Sequence, residues 1–166
     1  MIGNDIADLT LAAQQSNWQR PGFLRKIFTE FEQLLITESL NRDLMVWMLW
    51  SRKEAAYKIF NRQTNLRLYN PLDFECSAMT VSAGFHYGTV SGKNALYYTK
   101  TEATTAFVHT IATTNPDDFA RIYPLKNEDA ILKKGNIPYL FSSSDARQQP
   151  VSISHHGQFR RVIAIN

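Results

Sequence analysis

The sequence predicts an α+β fold in a single domain spanning residues 1–166, and three observations carry that expectation. Helical periodicity dominates the first part of the chain, up to residue 60. From residue 73 the texture turns to Thr, Val, Tyr and Phe broken by Gly or Asn turns. The length of 166 residues suits one hydrophobic core, and 44% hydrophobic with 20% charged residues is an ordinary globular balance.

The elements follow in order. Ile2–Ile6 reads as an opening strand and Leu9–Gln15 as a helix. Asn17–Gly22 is a break, punctuated by Pro21 and Gly22. A second helix comes in two pieces, Phe23–Phe28 and Glu30–Ser39, with Thr29 and Glu32 at capping-box spacing between them. Arg42–Phe60 is apolar nearly all round: Leu44, Trp47, Met48, Ala55 and Ile59 share one face, while Met45, Val46, Leu49, Trp50, Ala56 and Phe60 cover much of the other. Such a helix is expected to be buried. Strands are expected at Glu75–Ala83, Phe85–Val90, Ala95–Lys100 and Thr105–Ala112, with a hairpin turn at Ser91–Asn94. Asp129–Lys134 reads as a helix ended by Gly135. Pro138 and Pro150 bracket an extended or irregular stretch. Val151–Ser154 and Arg161–Ile165 read as closing strands joined through His155, His156 and Gly157.

Composition narrows the function classes. The sequence has no apolar run of membrane-spanning length. Met1–Leu9 carries Asp5 and Asp8 where a secretory leader would need basic and then apolar residues, so export is not expected. The single cysteine, Cys76, allows neither an internal disulfide nor a thiolate metal cage, and fits a reducing, cytoplasmic setting. Its simplest role is that of a small core residue. With 18 Lys and Arg against 15 acids, the net charge of +3 suits an anionic ligand or an acidic partner. No nucleic-acid partner is expected, because the cations are dispersed and the aromatic residues follow core periodicity.

Few residues offer chemistry. Glu54 and Lys58 lie four apart on an otherwise apolar helix, with Ser51 beside them. They are either a helix-stabilising pair or the polar lining of a cleft, because burying them unpaired would be costly. Asp5 ends the opening strand, either as a helix N-cap or as a site residue. His155 and His156 are adjacent, and no H-x-x-x-H spacing supports structural zinc. There is no Walker loop, G-x-S-x-G or G-x-G-x-x-G, so any phosphate chemistry falls to carboxylates, a divalent ion and scattered cations.

Several segments resemble one family. Residues 2–9, Ile-Gly-Asn-Asp-Ile-Ala-Asp-Leu, resemble the opening G-x-D-I/V motif of 4′-phosphopantetheinyl transferases. Residues 50–58, Trp-Ser-Arg-Lys-Glu-Ala-Ala-Tyr-Lys, resemble its W-[ST]-x-K-E-A-x-x-K motif. Residues 150–155, Pro-Val-Ser-Ile-Ser-His, resemble its S-x-S-H motif, and Gly135-Asn136-Ile137-Pro138 is similar to the G-x-P stretch before it. Ile27-Phe28-Thr29 with Glu32 matches an I-L-T-x-x-E segment. The motif order, with S-x-S-H last, and Ala7 at the position of a third acid resemble the short holo-acyl-carrier-protein synthase type. The chain departs from that type at Asn61–Asn65, where a glycine- and lysine-rich segment is expected, and in the longer β-rich stretch of residues 75–114.

The resemblance implies a single lobe with helices packed on an antiparallel sheet. It implies transfer of 4′-phosphopantetheine from coenzyme A to a serine of an acyl or peptidyl carrier protein. Asp5 and Glu54 would hold Mg2+, a hard ion content with one or two carboxylates plus phosphate oxygens and water. Glu54 would take the serine proton and Lys58 would face the phosphate oxygens, while Ser154 and His155 would contact phosphate groups of coenzyme A. Arg20, Arg25 and Lys26, interleaved with Phe23, Leu24 and Ile27, offer either a docking face for an acidic carrier or a solvated helix face. A homotrimer is implied, each site being completed by a neighbour and His155 reaching a neighbouring subunit's ligand. The competing reading is a non-catalytic module of the same fold that binds coenzyme A or a carrier protein.

Overall fold

In a computed structural model, which describes residues 1–126, 131–135, 137–141 and 148–166, the chain opens with strand β1 (Ile2–Asp8). Four helices follow: α1 (Leu9–Gln15), α2 (Phe23–Ile27), α3 (Glu30–Glu38) and α4 (Arg42–Thr64). Strands β2 (Phe74–Cys76), β3 (Thr80–Ser82), β4 (Phe85–Gly92), β5 (Ala95–Ala103) and β6 (Phe107–Thr113) come next, and then β7 (Ile122–Pro124), β8 (Ile131–Lys134), β9 (Ile137–Phe141), β10 (Gln148–His156) and β11 (Phe159–Ile165). The α+β expectation holds: all the described strand pairs are antiparallel and α4 packs on the sheet through β1 and β6.

The described strands form two sheets. One runs β1-β6-β5-β4-β2, with β3 also paired to β4; the other runs β7-β11-β10-β9-β8. Strand β1 ends the first sheet, and its outer edge is closed by side chains of β10. The Asn4 and Asp8 amides donate to Ser152 Oγ and His156 Nδ1, each at 2.9 Å. Ile2 packs with Ile163 and Ile165 behind this seam. The main core lies between α4 and the first sheet, where Leu49, Ala55, Ala56 and Ile59 meet Phe74, Val90, Tyr97 and Ala112.

Local chemistry explains the helix ends. The Asp8 carboxylate caps α1 at the Leu11 amide, 3.1 Å away, so Asp8 is the cap that had been one reading of Asp5. Asp5 itself sits in mid-strand rather than at a strand end. Thr29 and Glu32 form the expected capping box. The hairpin turn at Ser91–Asn94 falls on Lys93 and Asn94, both at positive φ as a two-residue hairpin requires.

Two expectations are corrected. Ile131–Lys134 is not helical but is strand β8, paired to β9; Asp129 and Ala130 of that segment, like Asn136, lie outside the described residues. Gly135 at φ 58° serves a hairpin, and a helix C-terminus asks for the same φ, so the glycine signal was ambiguous. The expected strand Glu75–Ala83 is divided into β2 and β3 by a bulge. Cys76 faces Val90 and Thr80 faces Tyr87, so four residue steps oppose three. The guanidinium of Arg52 fills this break, donating to the Ser77 and Thr89 carbonyls at 2.8 Å each and to Thr99 Oγ1 at 3.1 Å.

Candidate active site

The site is assembled where β1 crosses α4. A Cβ at Gly3 would lie 2.1 Å from the Ala55 carbonyl oxygen, so only glycine lets the strand approach the helix this closely. Alternation along β1 then turns Asp5 toward the same helix. Ser51 Oγ donates to the Asp5 carbonyl at 3.3 Å, and Lys58 Nζ stands 3.6 Å from Asp5 Oδ1. Lys58 also donates to the carbonyls of Asn4 (2.6 Å) and Ile153 (3.4 Å), joining α4 to both sheets.

Asp5, Glu54, His155 and His156 line one cavity of about 350 Å³, whose apolar walls include Phe23, Ile27, Trp47 and Trp50. Burial pushes the Asp5 carboxyl above its ordinary range, against the opposing pull of Lys58 and Ser51. Glu54 is pushed up to about 7, first by burial and then by the Asp5 charge, with Lys58 and Tyr69 opposing. Among the described residues the buried Tyr69 hydroxyl has no well-formed hydrogen bond, and its pKa is raised, first by burial and then by the Glu54 charge. Its ring lies 4.4 Å from that of Tyr57 and edge-on to Trp50 at 6.0 Å, which fixes it beside α4.

No group of three or more His, Cys, Asp and Glu gathers as a metal cage among the described residues. The donor set at Asp5 and Glu54 nevertheless fits Mg2+. Two carboxylates, both disfavoured as anions by burial, share a cavity roomy enough for water and phosphate oxygens, and a hard cation there would relieve both.

His155 lines the same cavity as Glu54 of its own chain. Ser154 is placed differently. It is buried, its Oγ has no hydrogen-bond partner among the described residues, and it does not line the cavity. Arg20, Arg25 and Lys26 are all exposed. Arg20 stacks over the Phe23 ring at 5.3 Å, and Arg20 and Arg25 border a groove of about 1020 Å³.

Sequence reasoning missed two charges next to the motif acid. Arg52 and Lys53 are fully buried. Lys53 Nζ lies 2.6 Å from Glu32 Oε2 and donates to the Ile27 and Pro71 carbonyls, each at 2.9 Å, while Glu32 Oε1 accepts from the Cys76 amide at 2.7 Å. A run of polar residues within a helix apolar all round was the signal, since buried charges must find partners. A buried network of Asn4, Ser152 and His109 was also missed; burial brings the His109 pKa down to about 4, so it is neutral at pH 7.

The comparisons agree with this architecture. The model of the 4′-phosphopantetheinyl transferase superfamily matches residues 1–112, which include Asp5, Glu54 and Lys58, and the chain belongs to that superfamily. No curated protein matches it. Among solved structures, an apo-ACPS from Chronobacterium ammoiniagenes is similar with a TM-score of 0.51 at 16% identity, covering 68% of this chain and 93% of that one. Helicobacter pylori holo-[acyl-carrier-protein] synthase in complex with coenzyme A is similar with a TM-score of 0.50 at 13% identity, covering 69% of this chain and 100% of that one. At these identities the likeness is one of fold.

Proposed function

We propose that this chain transfers the 4′-phosphopantetheine arm of coenzyme A to a serine hydroxyl of an acyl or peptidyl carrier protein, with Mg2+ held by Asp5 and Glu54. The observation that carries the reading is the convergence of Asp5, Glu54 and His155 on one cavity, with Lys58 against Asp5 at its edge. In the transfer a serine Oγ–P bond forms as the P–O bond to adenosine 3′,5′-bisphosphate breaks. Glu54, with a pKa near 7, is poised to accept the serine proton directly or through water. Lys58, already fixed by carbonyls of both β1 and β10, holds an ammonium where charge develops on phosphate oxygens. His155 offers a hydrogen bond to phosphate from the facing strand. When bound, magnesium supplies neutralisation of the diphosphate and of the leaving phosphate.

The short helix α2 supports a docking role for the basic residues. Phe23 and Ile27 line the cavity, while Arg25 and Lys26 face solvent on the same helix. An acidic carrier lying on Arg20, Arg25 and Lys26 would bring its serine toward Glu54.

Incubation with coenzyme A, MgCl2 and a panel of apo carrier proteins, followed by intact mass, tests the proposal. At least one carrier gains a phosphopantetheine mass in a reaction that EDTA stops. A protein that binds coenzyme A but modifies no carrier would establish the non-catalytic binding module instead.

A further inference from the structure

The transfer uses His155 alone of the two histidines that line the Asp5–Glu54 cavity. The other, His156, is held at both ring nitrogens. The Asp8 amide donates to Nδ1 at 2.9 Å, and Nε2 lies 3.3 Å from Oε1 of Gln15, the last residue of α1. A ring nitrogen that accepts from an amide keeps its lone pair, so the proton of the imidazole sits on Nε2. Nε2–H is therefore a donor, and Gln15 meets it with its carbonyl oxygen.

The backbone around the ring is fixed by the same acid. Asp8 Oδ1 caps α1 at the Leu11 amide, and Oδ2 accepts from the Gln158 amide at 3.3 Å, tying the β10–β11 turn to the start of α1. Gly157, at φ 55°, lets that turn close, since a Cβ there would run into the Asp8 carboxylate. The half-buried His156 ring thus presents one uncharged donor to the cavity in a set direction. Its 3.3 Å contact with the exposed Gln15 is long for an N–H···O bond and is readily exchanged for a better-placed acceptor.

Resting on the transferase reading above, we infer that His156 is a specificity residue for the neutral arm of coenzyme A, its Nε2–H donating to the pantoyl hydroxyl oxygen. The pantoyl group is joined to the reacting phosphorus through one oxygen and one methylene, so it must enter the cavity that holds Asp5 and Glu54. An uncharged donor matches a neutral oxygen there, whereas Lys58 suits the phosphate oxygens. The wall of Phe23, Ile27, Trp47 and Trp50 gives the dimethyl carbon beside that hydroxyl an apolar surface. His156 lies one residue past the S-x-S-H segment, outside the residues that carry the family resemblance.

Calorimetric titration with coenzyme A and with adenosine 3′,5′-bisphosphate, which has no pantoyl group, reads this contact in two variants. Asparagine matches the Nδ1 end of the ring and glutamine the Nε2 end. His156→Asn keeps an acceptor for the Asp8 amide but loses the donor. With MgCl2 it binds coenzyme A roughly three- to tenfold more weakly than the wild type and the bisphosphate equally well. His156→Gln keeps the donor and binds coenzyme A within about twofold of the wild type, although the Asp8 amide loses its acceptor and the melting temperature falls. Circular dichroism confirms the fold of each variant, and either one decides alone if the other unfolds. Undiminished coenzyme A affinity in His156→Asn, equal weakening of both ligands in that variant, or a loss of about tenfold for coenzyme A in His156→Gln would each overturn the assignment. A wild-type protein that binds neither ligand would overturn the transferase reading itself, a result distinct from those three.

Discussion

Three consecutive residues of α4 divide structural from chemical work. Arg52 and Lys53 are wholly buried and satisfied, whereas Glu54 faces a cavity with its carboxyl pushed up to about 7. Two substitutions separate the roles. Lys53→Met strands Glu32 as an unpaired buried acid and should destabilise the fold by about 3–5 kcal/mol in urea unfolding; adding Glu32→Gln should recover part of that loss. Glu54→Gln should leave the fold intact and lower carrier transfer by about 10²-fold or more, read by intact mass beside circular dichroism. It should also change the pH dependence of stability. Because the folded pKa of Glu54 exceeds its unfolded value, ionisation costs the folded state, so the wild-type protein loses stability as pH rises from about 4.5 to about 7. In metal-free buffer Glu54→Gln should therefore gain on the wild type across that window, by on the order of 3 kcal/mol at pH 8. A pH-independent difference in melting temperature would remove the proposed environment of Glu54.

At the scale of elements, the seam between β1 and β10 sets the site. It is held by side chains rather than a backbone ladder: Ser152 Oγ accepts from the Asn4 amide at 2.9 Å and donates to Asn4 Oδ1 at 2.7 Å, and Asn4 Nδ2 reaches the Arg161 carbonyl at 3.2 Å. Ser152→Ala leaves two buried polar groups of Asn4 unmatched and should cost about 1–3 kcal/mol in denaturant unfolding. An unchanged midpoint would show that the seam is held by apolar contacts such as Ile2 with Ile163. The sequence made the helices legible because their caps and periodicity are local, as Thr29 with Glu32 and the α4 pattern illustrate. It hid β8 because four residues carry too little period to separate strand from helix, and pairing with β9 decides the outcome. It hid the β2–β3 break because that bulge is set by Arg52, more than twenty residues upstream.

For the molecule as a whole, Asp5, Glu54 and Lys58 were singled out through the motif resemblance, and the close β1–α4 crossing at Gly3, which no sequence pattern announced, is what brings them together. Whether β10 lies on its own chain's β1 or on a neighbour's depends on long-range packing that no local pattern encodes. Here β10 closes the edge of β1 within one chain, and His155 joins Asp5 and Glu54 in one cavity. That arrangement makes a specific demand on mixed populations. Glu54→Gln and His155→Ala are each expected to lower transfer strongly. When the two variants are co-expressed and purified together, activity should equal the sum of the two measured separately, because every chain carries one damaged cavity. Were His155 supplied by a neighbour, some interfaces of a mixed assembly would pair an intact Glu54 with an intact His155, and activity would rise well above that sum. Recovery of transfer in the co-expressed sample would therefore overturn the single-chain cavity, while leaving the roles of the two residues in transfer intact.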